Sequence, residues 1–346
     1  MIQLSIPYTK DNLILSLVED KHLKHISEIY MPIPYSIMES GRPLHHDEAK
    51  EYEDIFEEQV KLAREKGIKV NLIANKQYIP HEKLRSTGMR VCKLVERLNS
   101  LYGIDKLTLS NIYLMQQYGE HIKSMGVKIE MSIMINANTP DAVEQLMTTL
   151  PVIDSICLGD AFAHNIDAIA YLKEKYPNLE LKLIPNHGCL INCIGNQQHH
   201  NYSSCVFDEE SSDPIRLSRN NELAIANNVS ATCRCYINKN GKNLNEMSFI
   251  RPEDTYVYDG LIDMLKISGR EHTAEYILNI IEAYSNEKYI GVVDNLLDMS
   301  AGLIRLRNEH FPQDFGKKRS TCMHQCYKCN YCKIISDFVK THTTLD

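Results

Sequence analysis

The chain alternates between two hydrophobic periods. Short runs rich in β-branched residues are followed by longer stretches in which apolar positions recur every three or four residues. The short runs predict strands at Gln3–Pro7, His25–Met31, Lys69–Ile73, Lys106–Leu109, Lys128–Ile133, Ser155–Leu158, Glu180–Ile184 and Leu261–Ile267. The longer stretches predict helices at Asp47–Glu65, Arg90–Tyr102, Ile112–Met125, Thr139–Thr149, Asn165–Tyr176 and His272–Ser285. Thr139-Pro140 is a cap followed by a first-turn proline, which marks one helix start plainly. Strands in regular alternation with helices predict a parallel α/β architecture, and eight of them predict a closed (β/α)8 TIM-like barrel. An open doubly wound sheet is the runner-up, but no Gly-rich dinucleotide loop accompanies it. No internal repeat is visible.

One region breaks the alternation. From about residue 185 to 259 the chain is polar, rich in Asn, Ser and His, and carries five cysteines. It leaves the carboxyl end of the seventh strand, the face on which barrels build their active sites. A loop of this length in a compact domain is expected to be functional. The predicted organisation is therefore a barrel over 1–285 that includes this cysteine-rich insertion, and a helical extension over 286–346.

Composition narrows the function classes. The 346 residues are 43% hydrophobic and 24% charged, a globular balance. The net charge of −7 gives no support for a broad nucleic-acid footprint, although a local basic patch such as Gly316–Ser320 could exist. That run reads as solvated surface. There is no apolar run of membrane-spanning length and no signal-peptide pattern at the start, so a cytoplasmic location is expected. In that reducing setting, eleven cysteines predict metal ligation rather than disulfides.

Cys92 and Cys157 lie in apolar-periodic segments and read as core. Cys189, Cys193, Cys205, Cys233 and Cys235 fall in the insertion; four thiolates from this set can hold a cubane cluster or a zinc ion. Zinc ribbons favour paired CxxC knuckles, and the insertion has none, so the spacing leans to a cluster. His187, His199 and His200 stand close by as candidate ligands or proton donors. Lys266 and Arg270 flank Gly269 at the end of the eighth strand. They can offer positive charge to an anionic substrate, or instead pair with a barrel carboxylate and cap a helix. Neither an HExxH helix nor a GxSxG elbow is present, so proteolysis has no motif behind it.

The stretch Gly188-Cys189-Leu190-Ile191-Asn192-Cys193, the Cys233-Arg234 pair with Tyr236 behind it, and Lys266-Ile267-Ser268-Gly269-Arg270 together resemble the collagenase-like peptidase family U32 and its relatives. The resemblance runs over about residues 1–285. It implies a barrel and, through the iron–sulfur members, an oxygen-independent hydroxylase bearing a 4Fe-4S cluster. Such members act in ubiquinone biosynthesis or on transfer or ribosomal RNA. It would make Cys189, Cys193, Cys205 and Cys233 the cluster ligands, with Cys235 able to replace one. The family's lysine-isoleucine-glutamate-glycine-arginine ending is altered here, with Ser268 in place of the glutamate. Several members work in pairs, which implies a partner subunit.

Cys322, Cys326, Cys329 and Cys332 are the densest metal signal. The first three have radical-SAM spacing, but they lie beyond the last strand, Lys328 precedes the third, and Cys332 can fill the open position. A second 4Fe-4S cluster or a structural zinc is expected there. Two clusters would suit an electron path fed by a protein donor. The substrate is a small molecule, an RNA base or a peptide; a metal-stabilised partner subunit, a radical-SAM-type enzyme and a peptidase are the alternatives.

Overall fold

In a computed structural model the chain closes into a barrel of eight parallel strands, each paired with the next and β8 with β1. The structure describes residues 2–9, 11, 13–34, 46–191, 193, 195–205, 247–298, 305–322 and 324–341. The strands are β1 (Gln3–Pro7), β2 (Ile26–Pro32), β3 (Lys69–Ala74), β4 (Lys106–Leu109), β5 (Lys128–Met131), β6 (Ser155–Cys157), β7 (Glu180–Leu183) and β8 (Met264–Lys266). All eight predicted strands are present. β5 is shorter than its apolar run suggested, because the chain turns at Ser132 into a 3-10 helix over Ile133–Ile135.

The helices are α1 (Ile14–Leu17), α2 (Asp20–Leu23), α3 (His46–Glu65), α4 (Leu84–Tyr102), α5 (Ile112–Ser124), α6 (Pro140–Thr149), α7 (Ile166–Lys175), α8 (Asn196–Cys205), α9 (Ala274–Ser285), α10 (Phe315–Ser320) and α11 (Tyr331–Thr341). Side-chain caps start several of them. Asn111 accepts from Leu114 N, Thr139 from Ala142 N, Asn165 from Ala168 N and Thr273 from Tyr276 N. Each satisfies a backbone donor that the first helical turn leaves open.

The amino-terminal face repeats one device. Asp105 accepts from Val70 N at 2.8 Å, Asp154 from Ile129 N at 2.9 Å, and Asp263 from Leu181 N at 2.8 Å. Each carboxylate precedes an even-numbered strand and ties it to the odd-numbered one before it. Each is also paired with a basic residue of the helix before that odd-numbered strand: Arg64 at 2.7 Å, Lys123 at 2.8 Å and Lys173 at 2.8 Å. A charge-assisted bond at three of the four even-numbered strands helps fix the register at that end of the barrel.

The extension after α9 shares the barrel's apolar core. Leu296, Leu297, Leu306, Phe311 and Phe315 are buried in the same cluster as the strand residues. Arg251 binds Asp254 through two nitrogens, at 2.6 and 2.8 Å, and lies over the rings of Phe311 and Phe315. The Gly316–Ser320 run is not a uniformly solvated surface. Lys317 and Lys318 are exposed, whereas Gly316, Arg319 and Ser320 are buried. A Cβ on Gly316 would stand 2.3 Å from Asp254, so only glycine lets α10 close on this segment.

Candidate functional site

The barrel interior is ionic. Alternate residues of a barrel strand point inward, and here several of those are charged. Lys182 on β7 is fully buried, 2.6 Å from Glu28 on β2 and bonded to Glu130 on β5. Lys106 on β4 pairs with Glu28 at 2.9 Å and with Glu180 on β7. Lys266 on β8 donates to Glu130 at 2.9 Å. Asn71 Nδ2 donates to both Glu28 and Glu130 at 3.1 Å, and Ser5 Oγ donates to Glu28 at 2.6 Å. Three carboxylates therefore meet three ammonium groups, and the stack is neutral. Burial resists the charge on Glu28, but Lys182 and Lys106 outweigh it and hold the carboxyl down at about 2. Burial likewise opposes Lys182, yet Glu130, Glu28 and Glu180 hold its pKa well above the usual lysine value. Glu28, Glu130 and Glu180 bring oxygens close enough to chelate a cation, but Lys106 and Lys182 already supply the positive charge there.

Above this floor, at the carboxyl ends of the strands, lies a cavity of about 110 Å³. Tyr30, Ile73, Ser132 and Asp160 line one part of it, and His187, Lys266, Ser268 and Arg270 another. Lys266 stands 4.7 Å from the Tyr30 ring centre while bonded to Glu130, so one arm of the ionic stack reaches the cavity floor. Gly269 takes φ +118°, a conformation that side chains resist, and this turns Arg270 onto the wall. Thr273 caps the following helix.

His187 Nδ1 lies 2.8 Å from Asp160 Oδ1, which also accepts from Ser248 Oγ at 3.0 Å. His187 Nε2 faces Asp298 Oδ2 at 3.9 Å. Burial disfavours the imidazolium, but Asp160, Cys189 and Asp298 overcome that cost and raise its pKa well above the ordinary histidine value. Asp298 comes from the extension. It accepts from Gly188 N at 2.8 Å and from Ser268 Oγ at 2.7 Å. A carboxylate thus stands beside position 268 although the residue there is serine.

Cys189 and Cys193 are half-buried on the turn after β7, where Cys193 N donates to Leu190 O at 3.2 Å. The side chain of Cys205, and Cys233 and Cys235, lie outside the described residues. His199 does not reach the cavity wall; its neighbour His200 does, with the two rings stacked at 5.8 Å. Cys92 and Cys157 are buried, as their apolar settings suggested, and burial pushes their thiols up to about 11 and about 12.

The four terminal cysteines do not form one close ligand group, and only Cys322 joins a trio of ligand atoms. Cys322, Cys326 and Cys329 all act electrostatically on Cys332, whose thiol burial pushes up. His164, from the loop after β6, and His324 join Cys322 with ligand atoms within 4.8 Å of one another. Asp160, Asp298 and His164 had no motif to mark them. Asp160 and His164 could have been suspected only because they follow a strand on the active face of a barrel.

Fold and site together define a (β/α)8 barrel with an ionic interior and a histidine–carboxylate pair beside thiols at its mouth. No family model matches the chain. It is 26% identical over 340 residues, 93% of its length and 91% of the relative's, to an uncharacterized protease of Methanocaldococcus jannaschii. Among solved structures it is similar to a U32 peptidase at TM-score 0.45 and 15% identity, over 63% of this chain and 85% of that one. A putative dihydrodipicolinate synthase family protein from Coccidioides immitis matches at TM-score 0.36 and 9% identity, over 97% and 96%.

Proposed function

We propose that this chain is an enzyme of the U32-like superfamily and belongs with its iron–sulfur members, modifying a small molecule, an RNA base or a peptide without oxygen. One observation carries the reading. Cys189 and Cys193 stand on the rim segment that also holds His187, which lines a cavity with Lys266 and Arg270 on its wall. Cys189, Cys193, Cys205 and Cys233 would hold a 4Fe-4S cluster, and the two described thiols fit it, half-buried on one turn beside the cavity. When bound, the cluster supplies one-electron redox chemistry. The electrons would come from a protein donor or partner subunit, in a reducing, cytoplasmic setting.

The chain's own residues have separate tasks. Lys266 and Arg270 would bind an anionic group of the substrate. Asp160 fixes the His187 ring through Nδ1 and leaves Nε2 as the atom that carries or releases a proton. Tyr30, Ile73 and Ile184 supply apolar lining to the cavity. The test is anaerobic purification with iron and sulfide analysis and a visible spectrum. Brown protein that loses iron and colour in Cys189→Ala and Cys193→Ala supports the reading; colourless protein without iron overturns it.

A second reading, peptide hydrolysis, is favoured by the charge of Cys189 acting on His187, whose Nδ1 Asp160 holds. Such an arrangement can activate a thiol. Peptidase activity that survives iron removal and is abolished by alkylation of Cys189 would select it.

A further inference from the structure

Where the extension meets the barrel, buried polar groups lack partners. Among the described residues, His164 Nδ1 and His324 Nε2 are enclosed without a hydrogen-bond partner, and so are Arg319 Nε and Nη1. Orphaned donors and acceptors of this kind are rare in a folded interior and need a cause. His164 is 2% exposed and belongs to the 3-10 turn Asp160–His164 after β6. The His324 ring lies 4.6 Å from it, centre to centre, and Cys322 completes a trio of ligand atoms within 4.8 Å. Cys332, in the first turn of α11, is not part of that trio, but its charge acts on both Cys322 and Arg319, and a turn of its side chain toward Cys322 would complete the set.

We propose that these four residues, His164, His324, Cys322 and Cys332, bind one zinc ion and so latch the extension onto the barrel's active face. Two imidazole nitrogens and two thiolates are a tetrahedral zinc set, and a closed one, which marks a structural rather than a catalytic ion. Binding satisfies both orphaned imidazole atoms at once. It also leaves two thiolate sulfurs, good acceptors, beside the orphaned N–H groups of Arg319. The Met247 carbonyl, which accepts from Arg319, faces the His164 ring as well. With Nδ1 on zinc the ring proton sits on Nε2 and is donated to that carbonyl, so Arg319 Nη2, now 2.7 Å from Nε2, turns to the thiolates instead. Cys326 and Cys329 then lie outside the ligand set; Cys329 is exposed and accepts from Tyr331 N at 3.5 Å. A four-thiolate cluster in this place would leave His164 and His324 unsatisfied. The latch joins segments 155 or more residues apart in sequence, as the Arg319–His164 contact already does.

The proposal is independent of the cluster at the barrel mouth, and its test is read separately. Full-length protein carrying Cys189→Ala and Cys193→Ala is stripped with chelator and titrated with Zn(II) alone, and with Co(II) as a spectroscopic probe. One equivalent should bind, and Co(II) should give the intense visible bands of a tetrahedral thiolate site. His164→Ala and, separately, the more accessible His324→Ala should each weaken Zn(II) binding by about 100-fold or more, beyond what loss of an outer-shell partner costs. Cys329→Ser should leave binding unchanged. Circular dichroism of His164→Ala shows whether the barrel still folds, and His324→Ala repeats the test without touching the barrel. Loss of Co(II) bands in Cys329→Ser with retention in His324→Ala overturns the proposal, as does acid-labile sulfide at this site.

Discussion

Lys182→Met probes the ionic barrel most directly. The native stack sets Glu28, Glu130 and Glu180 against Lys106, Lys182 and Lys266. Removing Lys182 leaves three carboxylates facing two ammonium groups where Glu28 and Glu130 are fully buried. Breaking one buried pair in this way costs about 3–5 kcal/mol. The Glu28 carboxyl, held down by Lys182 and Lys106 together, gives a figure of the same order. Its value falls from 4.5 to about 2 in the fold, and at about 1.4 kcal/mol per pH unit that is about 3 kcal/mol. The sign in the native protein follows from that depression. Its contribution is fully present above pH 4.5 and is lost as pH falls toward 2. In the variant one buried carboxyl instead takes up a proton on folding, so its folded pKa rises above the unfolded value. Stability should then fall as pH rises from about 4.5 to 7, the opposite slope. Urea unfolding at several pH values, followed by circular dichroism, measures both. A variant that loses under 1 kcal/mol, or keeps the native slope, would refute the account of a neutral stack of six charges. Adding Glu130→Gln should restore part of the loss, because it removes the excess negative charge.

Three further outcomes are expected. Asp154→Ala should cost about 1.5–3 kcal/mol in chemical unfolding, because it removes the acceptor of Ile129 N and the partner of Lys123; Lys123→Ala alone should cost less. Gly159→Ala would place a Cβ 2.6 Å from the Ala137 carbonyl oxygen, so thermal melting should show a loss of about 1–3 kcal/mol. Native protein at pH 8 should resist iodoacetamide at Cys92 and Cys157, with thiols at about 11 and about 12, and react there only once unfolded; peptide mapping of the adducts decides it.

The barrel was legible because its strands and helices each follow a local period. Thr139-Pro140 and Asn165 announce helix starts within a few residues, and the structure uses them so. The ionic interior was not legible, because a charged residue in a short strand reads as solvent-facing. Lys106, Glu130 and Lys182 point inward instead, and only closure of the sheet brings β2, β5 and β7 face to face. Lys266 was readable as the partner of a barrel carboxylate, and it is one, but it also lines the cavity. The histidines were harder. His199 and His200 are adjacent in sequence, and the helical turn of α8 decides which one faces the site.

Ser268 shows how a rim can keep a charge while losing the residue that resembles its source. The Lys266–Arg270 stretch has serine where the U32 pattern has glutamate, which taken alone removes a carboxylate from the mouth. Ser268 Oγ donates to Asp298 instead, and Asp298 also holds Gly188 N beside Cys189. The same carboxylate faces His187 Nε2. The extension therefore supplies an acidic group to the active face as well as its own thiols. This couples the loops after β7 and β8 to a segment beyond the barrel. A zinc latch that fixes the extension would thereby also fix Asp298, so its removal should disturb the His187 environment without touching any residue of the cavity wall. Chelation followed by histidine ring NMR of His187 in the Cys189→Ala, Cys193→Ala background reads that coupling. An unchanged His187 resonance would separate the extension's fixing role from the site.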